Sequence, residues 1–224
     1  TVSANTTSGF SIVSYTGTNV DNTVGHGLGV APKMIIVKEL NSASYGWVVY
    51  HSSLGNNQQL ELNTSGAASG ATGWQNTSPT STVFSIDNAA NSLNKSGSQY
   101  IAYCFAEKTG FSKFGKYTGN GNDANGTFVY TGFKPAFVLI KRYSASEQWQ
   151  TTDSVRDKDV SPNFARLIAD GTNAESTNTT WARIDKFSNG FRLGGTDTVS
   201  NGSGSNYIYM AFAEQPLVGD NPAT

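Results

Sequence analysis

With 224 residues the chain can form one large all-β domain or two of about 100 to 110 residues, and either buries a core of its own. Its 15 Lys and Arg against 16 Asp and Glu leave a formal charge of -1, so it carries no basic footprint for nucleic acid and no polybasic patch for a membrane surface. Only 14% of residues are charged while 24 are Gly, which excludes long helices; 37% are hydrophobic, which excludes a disordered chain, and no apolar run approaches the roughly 18 residues of a membrane span.

In chain order, the first strand signal runs from Gly9-Phe10-Ser11 to Tyr15-Thr16-Gly17. Val24-Gly25-His26-Gly27-Leu28-Gly29 follows, and it reads as a Gly-rich turn. It is no nucleotide loop, because neither a helix pattern nor an acidic ribose partner comes after it. Pro32 opens the apolar strand Met34 to Leu40; Asn41-Ser42-Ala43-Ser44 joins it to Tyr45 to His51 as a hairpin. Gln59 to Asn63 alternates, with Leu60 and Leu62 on one face. In the run Tyr100 to Ala106, Ile101, Tyr103 and Phe105 share one face while Ala102 and Cys104 take the other, a pattern that predicts a central strand. Cys104 is the single cysteine, makes no intrachain disulfide and reads as a small buried hydrophobe.

The same series then begins again. Gln99-Tyr100-Ile101-Ala102-Tyr103-Cys104-Phe105-Ala106-Glu107 returns as Asn206-Tyr207-Ile208-Tyr209-Met210-Ala211-Phe212-Ala213-Glu214, at an offset of about 107 residues. Phe10 to Gly17 returns as Phe111 to Gly119 with one extra residue, which predicts a β-bulge in that strand. Ala31 to Lys38 matches Lys134 to Lys141, Trp47 matches Trp149, Trp74 matches Trp181, and Ser96-Gly97 matches Ser203-Gly204. The expectation is an all-β chain of two tandem-duplicated antiparallel β-sandwiches of jelly-roll or lectin-like type, spanning 9–108 and 109–216, packed closely together because no flexible linker separates them.

Catalytic patterns are sparse. His26 and His51 have no partner at metal-ligand spacing, so no metal site is expected. Gly202-Ser203-Gly204-Ser205 lies in a low-complexity hairpin and lacks the context of a nucleophile elbow. Asp153, Asp157, Asp159, Asp170, Glu175 and Asp185 concentrate in the second copy and could supply a pair of carboxylates for glycan hydrolysis, although loop acids are first a solvated surface. Asn120 to Gly126 and Asp153 to Asp159 offer oxygens to a hard cation, yet Asn-Gly segments are turn formers before anything else. The Asn-x-Ser/Thr sequons at Asn5, Asn63, Asn76, Asn94, Asn125, Asn178 and Asn201 are those expected of such a composition.

Aromatic rings beside amides and hydroxyls are the better candidates, since a ring covers the C–H face of a sugar and polar groups meet its hydroxyls. Trp74 and Trp181 are kept as binding candidates, although their occurrence in both copies favours packing. Tyr45 and Tyr143 lie near the tips of corresponding hairpins, and Arg142, Asp153 and Arg156 are expected to add polar contacts at the same end.

Three segments carry a family likeness: Val24 to Lys38, with its Gly-His-Gly-Leu-Gly and Pro-Lys-Met combination, Tyr100 to Glu107, and Phe111 to Gly121. The chain resembles, over about residues 9 to 216, a domain of unknown function found in tail-fibre and other virion-appendage proteins of tailed bacteriophages, notably marine ones. The resemblance implies a non-enzymatic adhesive or structural part, usually at the C-terminal end of a longer fibre; such fibres are commonly trimeric, which allows a homotrimer here. The function expected is a receptor-binding module that recognises a host cell-surface glycan, with bacterial surface polysaccharide or another envelope receptor and other fibre or virion subunits as partners. It would need no cofactor, bind no nucleic acid and insert into no membrane. The alternatives are a structural virion element contacting other virion proteins and a hydrolase using the carboxylates of the second copy. A disulfide-free β protein coated in Ser, Thr and Asn suits a virion that is extracellular after assembly in a reducing cytoplasm.

Overall fold

The computed structural model describes residues 1–156, 165–177 and 182–215. The chain divides into two compact units: Thr1–Asn63 with Ala68–Glu107, and Thr64–Ala67 with the described residues from Lys108 onward.

The first unit contains β1 (Val2–Asn5), β2 (Phe10–Thr16), β3 (Asn22–Gly25), β4 (Met34–Glu39), β5 (Val48–His51), β6 (Gln58–Glu61), β7 (Ser69–Gly70), β8 (Val83–Ile86), the single turn α1 (Asn91–Asn94) and β9 (Gln99–Phe105). Its large sheet runs β1-β2-β9-β4-β5-β6-β7 and its small one β3-β8, with antiparallel pairing throughout. Alternation decides the packing. Val13, Val37, Tyr100, Ala102 and Cys104 from the large sheet meet Val24, Phe84 and Ile86 from the small one in a continuous core, with Trp74 and Leu93 closing it. β9 is central, between β2 and β4, as its two apolar faces predict. Cys104 is in this core, and burial pushes its thiol up to about 12.

The second unit contains β10 (Ser112–Thr118), β11 (Phe128–Tyr130), β12 (Pro135–Arg142), β13 (Trp149–Asp153), β14 (Leu167–Ile168), β15 (Ile184–Phe187), β16 (Gly190–Leu193) and β17 (Asn206–Ala213). The large sheet runs β10-β17-β12-β13-β14 and the small one β11-β16-β15. The order β10-β17-β12-β13 is that of β2-β9-β4-β5 in the first unit, and the pair β11-β16 is that of β3-β8. Val138, Ile140, Tyr207 and Ala211 face Val129, Ile184, Phe191 and Leu193 across the core. The fold is therefore all-β and antiparallel, and each unit is a sandwich of one large and one small sheet.

Two local expectations are corrected. The extra residue of the second copy makes no bulge in β10, which pairs with β17 in unbroken register from Ser112↔Phe212 to Thr118↔Asn206. It is absorbed in the preceding turn, where Ser112 N–H donates to Lys108 O and Gly110 takes a positive φ. The register shift lies instead between β12 and β17, at Pro135/Phe137, beside a proline that cannot donate to the ladder. The hairpin strand expected from Tyr45 begins only at Val48. Trp47 N–H goes to the side chain of Asn63 at 2.7 Å, so regular pairing starts one residue later.

Candidate functional site

Each unit is locked at one end by the same buried polar arrangement. In the first, Tyr15 of β2 stacks on Tyr100 of β9 with centroids 5.0 Å apart, and their hydroxyls donate to Leu93 O at 2.8 Å and Asn91 O at 2.7 Å. The Tyr100 hydroxyl also accepts Lys95 N–H at 2.9 Å. Fully buried Asn94 accepts Thr18 N–H and donates to Val20 O and Asp87 O. In the second unit Tyr117 stacks on Tyr207 at 4.9 Å; their hydroxyls donate to Ser200 O and Thr198 O, and Gly202 N–H donates to Tyr207. Asn201, also fully buried, accepts Asn120 N–H and donates to Asn122 O and Gly195 O. Burial holds all four phenols above their ordinary range, so they act as neutral donors. Asn94 and Asn201 head two of the sequons; both are structural, and neither amide is open to solvent.

A second shared device shapes the hairpins. Lys38, near the end of β4, donates from Nζ to Tyr45 O at 2.7 Å and Ser42 O at 3.3 Å. Lys141 in β12 is fully buried and donates to Glu147 O and to Ser65 O, the latter at 2.8 Å, with its ammonium 5.9 Å from the centre of the Trp149 ring. Burial lowers its pKa to about 8 against the opposing pull of Asp170 and Glu147. The repeated lysine is the signal that could have found this tie in the sequence.

The expected site residues do not converge. Tyr45 is half-buried in the first unit's hairpin. Trp74 is 1% exposed between Tyr50 and Phe84 and presents no face to a ligand. Trp181 lies outside the described residues, as do Asp157, Asp159 and the sequon residue Asn178. In the second unit Arg142 ends β12 and Tyr143 begins the hairpin loop, its N–H donating to Asn206 O at 3.0 Å. Asp153 and Arg156 are not at that end. Asp153 pairs with Phe137 in the ladder, five residues back along β12 from Arg142, a separation of about 16 Å. There Arg156 Nε and Nη2 each lie 2.5 Å from Asp153 Oδ2, and Arg156 also pairs with Glu175 at 3.5 Å. Burial pushes the Asp153 carboxyl up, but the Arg156 N–H and guanidinium outweigh it and hold the pKa below the ordinary value.

The loop 120–126 turns on its own amides: Asn120 donates to Asn125 O, Asn122 N–H to Asn120 Oδ1, and Asn125 N–H to Asn122 Oδ1. Asp123 accepts Gly195 N–H at 2.6 Å and pairs with Arg183. Among the described residues no group of three or more His, Cys, Asp or Glu side chains converges as metal ligands would.

What the sequence did not single out is the outward face of β11, β16 and β15. Val129 and Phe191 point into the core, so their neighbours point away from it. Phe128 is 47% exposed, Tyr130 65% and Phe187 41%. One cross-strand row is Phe128, Arg192 and Asp185; the next is Tyr130, Gly190 and Phe187. The Phe128 ring leans across Gly190, its Cζ 2.8 Å from where a Cβ would stand, and meets Phe187 edge to face with centroids 6.0 Å apart. Arg192 lies over Phe187, 5.8 Å from the ring centre, while its Nη2 and Nε donate to Asp185 Oδ2 at 2.7 and 3.2 Å. Arg183 pairs with the other Asp185 oxygen at 2.9 Å and with Asp123 at 3.4 Å.

Fold and geometry together define an all-β protein of two sandwich units with one strand order, whose exposed aromatic rings form a patch on the small sheet of the second. The chain belongs to the family described as Domain of unknown function (DUF7483), whose model matches residues 1–216. No curated protein matches it. A solved chain titled "Crystal Structure of the STIV MCP" is similar at 12% identity, over 90% of this chain and 95% of that one, with a TM-score of 0.25; likeness at that level carries no argument about this protein.

Proposed function

We propose that the protein is a non-catalytic receptor-binding module of a virion appendage such as a tail fibre, and that it holds a host-surface glycan. The observation that supports this reading is the patch on β11, β16 and β15: three exposed rings beside two arginines and an aspartate, on a rigid sheet, are the groups that stack on sugars and meet hydroxyls. The virion setting rests on the sequence likeness to appendage domains. The hydrolytic reading loses support at its named carboxylate. Asp153 is ion-paired with Arg156 and its pKa is lowered, so it could serve only as the ionised member of a carboxylate pair, which would still need a second carboxyl with a raised pKa as its acid.

The test is adsorption of the purified chain to host cells and to isolated envelope polysaccharide. Saturable retention without release of reducing ends is expected. Failure to adsorb to any host cell or envelope polysaccharide would overturn the reading in favour of a structural element that contacts other virion proteins.

A further inference from the structure

We propose that the outward face of β11, β16 and β15 is a platform for an uncharged polysaccharide chain, with Phe128, Tyr130 and Phe187 stacking on sugar faces and Arg192 and Asp185 meeting hydroxyls. This rests on the reading of the protein as a glycan-binding module and names the site and the ligand class.

The sandwich does not need these rings. In the first unit the inward pair Val24↔Phe84 corresponds to Val129↔Phe191, and the outward positions beside it are Thr23↔Ser85 and Gly25↔Val83. At the same places the second unit carries Phe128↔Arg192 and Tyr130↔Gly190. The first unit thus folds with Thr23 and Gly25 where the second exposes Phe128 and Tyr130, and among the described residues its two-stranded small sheet has no strand matching β15, which carries Phe187. Phe128, Tyr130 and Phe187 leave apolar ring surface in water that a bound partner would cover.

Charge selects the partner. Two guanidinium groups and two carboxylates, Arg183, Arg192, Asp123 and Asp185, are paired with one another and leave the face without net charge. An anionic chain would need an uncompensated cation. An apolar protein surface laid here would strip water from the Arg192–Asp185 pair without replacing its hydrogen bonds. Sugar hydroxyls both donate and accept, so they replace that water while the C–H faces cover the rings. Gly190 is required first by the close approach of Val129 O, and the same absence of a Cβ leaves room for the Phe128 ring, which meets Phe187 edge to face.

The experiment prints neutral hexose oligosaccharides of the dextran and mannan types beside uronic-acid oligosaccharides. It compares the full chain with Phe128→Ser, Phe187→Ser and Tyr143→Ala, each checked by thermal unfolding and sedimentation. The expected result is binding to neutral sugars, weakened about tenfold by either Phe variant and unchanged by Tyr143→Ala, with melting temperatures within about 2 °C of the parent. Preference for uronic acids would overturn the inference. So would loss on Tyr143→Ala alone, or a dimer dissolved by Phe187→Ser, while leaving the glycan reading in place in the first two cases. Binding to none of these sugars would also overturn the inference, and the glycan-binding reading itself falls only if the chain fails as well to adsorb to host cells and envelope polysaccharide.

Discussion

Asn94 and Asn201 show how much of this protein depends on single buried amides. Each joins three backbone groups that no ladder satisfies, so replacing either by Ala strands buried donors and acceptors. Either substitution is expected to lower stability by about 3 kcal/mol, read as a shift of the urea midpoint. His26 adds a pH effect. Its ring is buried, with Nδ1 accepting Leu28 N–H, which leaves Nε2–H to donate to Thr80 O at 3.2 Å. Burial lowers its pKa, with the Thr80 contact pulling the other way. Well above about pH 6.5 the ring is neutral folded or unfolded, and as pH falls through that value the unfolded chain takes up the proton first. Stability should therefore decline on acidification from neutral pH, and less steeply in His26→Gln; equal slopes would remove His26 from the account. The sequence placed His26 in a Gly-rich turn, and Gly27 and Gly29 do take positive φ there. It could not mark out Asn94 or Asn201, because asparagine is abundant in this chain and only their matching offset from the repeated strands sets them apart.

At the level of elements, the turns that close each sandwich end need glycine for space. A Cβ on Gly17 would overlap Lys95 O, and one on Gly119 would overlap Gly202 O; both obstacles are backbone and cannot swing aside. Gly17→Ala and Gly119→Ala should each cost about 1 to 3 kcal/mol in thermal or urea unfolding, whereas Gly70→Ala, with open space around it, should be nearly neutral. Lys141→Met keeps the volume but removes the donor from Ser65 O and Glu147 O, and should destabilise by about 1 to 3 kcal/mol. Strands were the most legible part of the sequence, because a short apolar run opened by a proline marks Met34–Glu39 and Pro135–Arg142 within a residue or two. The bulge was misplaced because an inserted residue in a repeat looks the same whether a strand or a turn absorbs it. Placing Asp153 and Arg156 with Tyr143 failed for a related reason: the direction of β13 away from the hairpin follows from pairing, which loop composition does not encode.

For the molecule as a whole, the two units share one strand order in their large sheets and the same tyrosine–tyrosine–asparagine lock. The inner faces share one pattern, while an outer face of the second unit is aromatic. That patch was not legible beforehand, since Phe128-Val129-Tyr130 reads equally as a strand with its aromatic side in the core, and only the inward position of Val129 reverses the assignment. Because the charges on the face cancel in pairs and the chain carries -1 overall, glycan affinity should change little between low salt and about 1 M salt; a steep salt dependence would point to an anionic ligand. The most direct measurement is amide and aromatic chemical-shift mapping of the labelled full chain during titration with a neutral oligosaccharide selected on the array. The account predicts shifts centred on Phe128, Tyr130, Phe187, Gly190 and Arg192, with the corresponding positions Thr23, Gly25, Val83 and Ser85 unmoved. Shifts centred on the 143–148 hairpin instead, or equally at both small sheets, would contradict it.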